Sequence, residues 1–171
     1  AASESDKILE ETRLYLSKLI NSDFDINTLH FHPTQTVEYE SNKQRIIHKI
    51  NSDLSFYSII DTFFVYSIPN DDLMIATKGI YQERYEHVQE IIKSQKRVGE
   101  VSDGYYWELI KLGGTYHLLK SIGSDSGVSM GALIRAETML ALIDVTDKGE
   151  ALLTTADGRS LVAQVQAAMV Y

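Results

Sequence analysis

The sequence predicts an α+β domain: an antiparallel sheet of five to seven strands with helices segregated against it. Three observations carry this. Apolar residues recur at helical spacing through the first third of the chain. The pattern then switches to short runs rich in β-branched and aromatic residues. Tight-turn residues join those runs, and strands joined by tight turns must be antiparallel.

Residues 4–20 read as a helix, with Ile8, Thr12, Leu16 and Leu19 on one stripe and Leu9 and Ile20 widening it. Residues 21–40 are polar, contain Pro33, and read as a loop. A second helix is expected from about Asn42 to Phe56, with Ile46, Ile50 and Leu54 in line and Ile47 beside them. Asp61–Ile68 (DTFFVYSI) reads as a strand, Pro69 to Asp72 as a turn, and Leu73–Thr77 as the returning strand. A third helix spans about Gln82–Ser94, with Tyr85, Val88, Ile91 and Ile92 on one side.

The clearest hairpin is Tyr105–Leu112, Gly113-Gly114, Thr115–Ile122, because a Gly-Gly pair supplies the positive φ angles of a tight primed turn. Gly127–Ile134 reads as a further strand and Arg135–Ile143 as a short helix. Glu150–Thr155 and Ser160–Gln166, around the turn Ala156–Arg159, suggest one more hairpin, and Ala167–Tyr171 carries no assignment. The whole chain, 1–171, reads as one domain, with helices over 4–57 and the sheet-bearing core over 58–166.

Composition narrows the function. A length of 171 residues can bury a core without metals or disulfides. The formal net charge of −8 argues against nucleic-acid binding, which needs clustered Lys and Arg; Lys43–Arg45 and Lys93–Arg97 read as solvated helix faces. The absence of cysteine excludes a disulfide framework and thiolate zinc sites. No apolar run approaches the ~20 residues needed to span a bilayer, and Ala1–Lys7 is too polar for a signal peptide.

A two-residue turn at Gly113-Gly114 sets the register of the main hairpin. Leu112 then faces Thr115, Lys111 faces Tyr116, Leu109 faces Leu118, and Trp107 faces Lys120. One face carries Trp107, Leu109, Lys111, Tyr116, Leu118 and Lys120. The other carries Tyr106, Glu108, Ile110, Leu112, His117 and Leu119. The first face has the make-up of a small-ligand pocket, mostly apolar with a few polar groups, and its lysines suit an anionic ligand. It is equally the make-up of a core with lysines at the sheet margin. Tyr66 and Tyr81 are placed to edge the same cavity, with Tyr57 and Tyr85 as further aromatics; ordinary core packing is the alternative for each.

Other patterns carry less. Gly127-Val128-Ser129-Met130-Gly131 matches a nucleophile elbow, but no histidine follows Ser129 to serve as base. His30-Phe31-His32 could present two imidazoles on one side of a strand, without a third ligand for a metal. Asp71-Asp72 reads as a turn, and no phosphate-binding glycine loop is present. No catalytic residue, metal or cofactor is expected, and the chain is not expected to be an enzyme.

The order of the pieces resembles Cache domains, the extracytoplasmic PAS-like sensors of bacterial receptors. Ser58–Ile68 followed by Leu73–Gly79, with its Thr77 and Gly79, resembles their opening strands. Trp107–Leu112, Tyr116–Ile122, Gly131-Ala132-Leu133-Ile134 and Met139–Ile143 resemble the second half, and Gly149–Gly158 resembles a late strand entering an Asp-Gly turn. The similarity covers most of residues 5–165 and is closest to the external sensors of histidine kinases and AraC-type regulators. It implies a PAS-like antiparallel sheet behind a long N-terminal helix and a small-molecule-sensing role outside the cell membrane. Membrane contact would come only through flanking segments, and a homodimer could form along the N-terminal helix. A ligand-free dimerisation or protein-interaction module is the alternative. The family's amino-acid-binding motif needs an Arg-aromatic cluster, whereas Arg84 precedes Tyr85 within a helix, so no ligand class or binding residue carries over.

Overall fold

A computed structural model describes residues 4–98, 107–146 and 167. Its elements, in order, are α1 (Glu4–Ser22), α2 (Phe24–Thr28), a 3-10 turn (Leu29–Phe31), α3 (Val37–Leu54), β1 (Thr62–Ser67), β2 (Asp72–Thr77), α4 (Tyr81–Val98), β3 (Glu108–Leu112), β4 (Thr115–Gly123), β5 (Val128–Arg135) and α5 (Ala136–Thr146). The fold is mixed α+β; the described residues form five helices and a five-stranded antiparallel sheet in the order β2-β1-β5-β4-β3. The expected hairpin over 150–166 lies outside the described residues.

The segment expected to be a loop, 21–40, instead holds a short helix and a 3-10 turn. Asp23 caps α2 by accepting from the Ile26 N–H at 3.0 Å, and its other carboxylate oxygen meets Lys49 of α3. With only Ile26 buried, five residues leave no readable period. α3 also begins earlier than expected. Thr36 caps it by accepting from the Tyr39 N–H at 3.2 Å, and Tyr39 donates its hydroxyl to Asp72 at 2.5 Å.

The hairpin register is as expected: Leu112 pairs Thr115, Lys111 pairs Tyr116 and Leu109 pairs Leu118. Gly113 and Gly114 hold φ of 56° and 82°, which L side chains resist.

The sheet separates two apolar layers. On one face Phe63, Val65, Met74, Ala76, Leu118, Met130 and Ile134 meet Leu9, Leu16, Ile20, Ile26, Ile46 and Ile50 from α1, α2 and α3, and Met139 from α5. On the other, Phe64, Tyr66, Leu73, Ile75, Leu112, Leu119 and Leu133 meet Val88, Ile91 and Ile92 of α4. Alternation along each strand produces this partition, because successive side chains point to opposite faces.

The α1 stripe is consumed within the chain, since Leu9, Thr12, Leu16 and Ile20 are all buried against its own core. A dimer along α1 would have to use the outer surface, where Leu14 is 53% exposed.

Candidate functional site

The residues expected to form one pocket are divided by the sheet. Trp107 (5% exposed) lies in the layer beneath α1, α3 and α5, with Leu109 and Tyr116 packed against that same layer. Trp107 is therefore a core residue, the alternative its face allowed. Lys120 is 2% exposed. Together with Arg13, the larger influence, it draws the Glu10 carboxyl below the ordinary carboxylate value. Lys111 is exposed, with its ammonium 5.5 Å from the Tyr116 ring centroid. Tyr66 lies on the opposite face, among the α4 contacts, and donates to Asp71 at 2.5 Å. Tyr81 is 56% exposed at the start of α4, stacked on Tyr85. Trp107 and Tyr116 lie on the face opposite Tyr66, and Tyr81 is exposed on α4, so the described residues do not bring the four into one cavity.

The glycine–serine motif has a packing explanation. Gly127 sits at φ 82° in the turn entering β5, and Ser129 and Gly131 lie within the strand. A nucleophile elbow needs a strand-to-helix turn; this is a turn into a strand. A Cβ on Gly131 would come within 2.3 Å of the Phe64 ring, so the glycine makes room for that ring. His30 and His32 are in and beside the 3-10 turn rather than on a strand, and the His30 ring packs on Phe31. Among the described residues no three His, Cys, Asp or Glu side chains gather to hold a metal ion, and no described helix is long and apolar enough to cross a membrane.

The polar chemistry concentrates beneath the first turns of α4. Asp61, just before β1, receives Arg84 Nε at 2.7 Å and Nη2 at 3.4 Å. Both side chains are about nine-tenths buried. Thr62 donates to Asp61 Oδ2 at 2.7 Å and shares a 2.8 Å hydroxyl contact with Thr77, which accepts from the Gly79 N–H. Burial alone would raise the Asp61 carboxyl, but the bonds from Arg84 and Thr62 outweigh it and hold it below its ordinary value. Gly79 is part of the same device: a Cβ there would lie 2.8 Å from the Arg84 guanidinium, which occupies that space.

Beside this pair stand two imidazoles. His117 of β4 is fully buried and His87 of α4 nearly so, with ring centroids 5.9 Å apart at 65°. His117 Nδ1 lies 3.1 Å from the Thr115 carbonyl, and a carbonyl only accepts, so Nδ1 carries the proton. Nε2 of the neutral ring is then an acceptor, and it is buried without a protein partner, as is Nδ1 of His87. Arg135, paired with His117 across β4 and β5, bonds Glu137 and has its Nε buried without a partner.

Further along α4 a groove of about 160 Å³ opens between the helix and β3. Ile91, Ile110, Leu112 and Leu119 form its apolar floor, and Glu90, Ser94, Gln95 and Glu108 its polar walls; Lys111 borders it with its ammonium turned to Tyr116 on the other face. Of the expected set, Lys111 alone borders this groove.

Sequence reasoning missed Asp61, Arg84, His87 and the groove. One signal was available: His117 interrupts an apolar alternation on the face opposite Trp107, and a buried histidine needs polar company. The chain matches no family model and no curated protein sequence.

Proposed function

We propose that the chain is a small-molecule-sensing input domain of the Cache-like type, carried outside the membrane by a bacterial receptor such as a histidine kinase or AraC-type regulator. The observation that carries the sensing role is the asymmetry of the sheet. Helices α1, α2, α3 and α5 close one face with apolar side chains. Among the described residues, α4 covers the other, leaving a groove against β3 and a buried polar cluster under its first turns. The groove on the α4 side offers an apolar floor with a few polar groups, which is what small ligands require.

The groove alters the ligand expectation. Its walls carry the carboxylates of Glu90 and Glu108, whereas the Lys111 ammonium lies over the Tyr116 ring, on the side of the sheet away from α4. That balance favours an apolar body with a cationic or zwitterionic head over a simple anion. Signalling follows as a population shift: a ligand bound between α4 and β3 stabilises one placement of the helix over another.

The test is a thermal-shift screen of the purified domain against amines, amino acids, organic acids, sugars and nucleobases. A ligand at a hundred times its Kd contributes about 2.7 kcal/mol to the native state, equivalent to about 5–11 °C in a chain of this size. The shift should vanish in Ser94→Trp, which fills the groove from an exposed position, and weaken in Glu90→Gln. It should persist in Tyr116→Phe on the other face. A hit that survives Ser94→Trp, or a screen without hits, overturns the reading.

A further inference from the structure

The geometry beneath α4 points to a second input, independent of ligand in the groove. We propose that His117, enclosed by His87 and Arg84, is an acid-operated latch that holds the N-terminal half of α4 onto the sheet.

The argument rests on what a second proton would meet. His117 donates Nδ1–H to the Thr115 carbonyl, so any added proton goes to Nε2, which is buried and has no acceptor. The charged groups around it offer no free carboxylate. From α4 come Arg84, a cation, and the His87 ring; Glu83 bonds Arg84 from the surface. From the residue preceding β1 comes Asp61, whose carboxylate is taken by Arg84 and Thr62. From β5 comes Arg135, a second cation, tied to Glu137 at the start of α5. The β3–β4 turn presents Gly113, against which His87 packs so closely that a Cβ would lie 2.7 Å from its Nε2.

An imidazolium at His117 would therefore be a buried cation among cations, with the one nearby carboxylate already engaged. Burial, chiefly, depresses its proton affinity, with the Arg84 charge adding to the effect. The cheapest relief is to let α4 lift and water enter. That movement opens the groove at the other end of the same helix.

The direction with pH follows from linkage. The folded-state value is below the ordinary 6.5, so the latch is fully engaged above that pH and is lost as pH falls toward the folded value. For one extra proton in the open state, the opening equilibrium rises up to tenfold per pH unit.

The test is hydrogen exchange of the α4 amides in the whole domain at several values from pH 7.5 to about 5, corrected for the intrinsic pH dependence of exchange, in wild type and His117→Asn. Asparagine keeps a donor for the Thr115 carbonyl but does not titrate. Wild-type α4 should open more with each step below pH 6.5, approaching tenfold per unit, while α1 and α3 stay protected and His117→Asn stays flat. Proton NMR titration of the wild-type imidazoles gives a second readout that needs no variant: His117 should remain neutral well below pH 6.5. Equal pH dependence in both proteins, or a His117 ring that titrates at or above 6.5 in the folded domain, overturns the latch.

Discussion

Removing Arg84 tests how much the fold depends on its buried ion pair. In Arg84→Met the stem is kept and the guanidinium lost, so Asp61 retains the Thr62 hydroxyl and loses both nitrogens. The two side chains are 10% and 9% exposed, and solvent does little to compensate. Breaking such a pair by deleting one partner costs about 3–5 kcal/mol, because a carboxylate is left buried and uncompensated. Urea unfolding should show that loss at constant m. For a chain of this size it corresponds to a fall in Tm of about 6–20 °C.

Asp61→Asn in the Arg84→Met background should recover part of the loss, since no buried charge remains; two residues in direct contact are expected to be non-additive. The pH profile adds a check. Asp61 is held below its ordinary 3.8, so the contribution of the pair is present above that value and disappears as pH falls through the lowered one. The gap between wild type and Arg84→Met should be full at neutral pH and close in strong acid. A cost under about 1 kcal/mol, the range of solvent-exposed pairs, or strict additivity in the double variant, would refute the assignment of a buried, coupled pair.

Three further outcomes are expected. Gly131→Ala places a methyl within 2.3 Å of the Phe64 ring and 2.8 Å of the Lys120 carbonyl, and should cost about 1–3 kcal/mol; Phe64→Leu in the same chain should restore part of it in urea titrations. Trp107→Ala should cost about 3–5 kcal/mol, and the emission of Trp107, the sole tryptophan, should be that of a buried indole shifting red on unfolding. Burial and the Asp53 carboxylate, which accepts its hydroxyl at 2.7 Å, push Tyr15 far above the ordinary phenol value. Ultraviolet titration to about pH 11 should therefore give the same amplitude for Tyr15→Phe as for wild type, provided the fold persists.

What the sequence disclosed and what it withheld have separate causes. The hairpin register was readable because Gly113-Gly114 leaves two strands one way to meet, and β1 was readable because Thr62–Ser67 is buried throughout and rich in β-branched and aromatic side chains. Helix α2 was not readable, since a five-residue helix held by the cap at Asp23 has no second turn in which a period could show. The pocket expectation failed at a different level. Alternation assigned Trp107 and His117 to opposite faces correctly, but it does not say which face the helices close. That depends on α1, α3 and α5 arriving from both ends of the chain. The Asp61–Arg84 pair was beyond reach for the same reason: its members lie 23 residues apart on separate elements, and only the packing of α4 joins them.

The strand order also has a kinetic consequence. β1 lies between β2, its neighbour in the chain, and β5, which is far from it in sequence. The β1–β2 hairpin and the β3–β4–β5 meander can each begin from local turns, but a two-stranded hairpin is marginal alone. The sheet becomes whole only when Thr62–Ser67 aligns with Val128–Leu133, which closes a long loop before the contacts return any stability. The Asp61 N–H bond to the Leu133 carbonyl and the Ile68 N–H bond to the Gly127 carbonyl mark the two ends of that seam. Substitutions along it should slow folding, while those in the groove beneath α4 should chiefly speed unfolding.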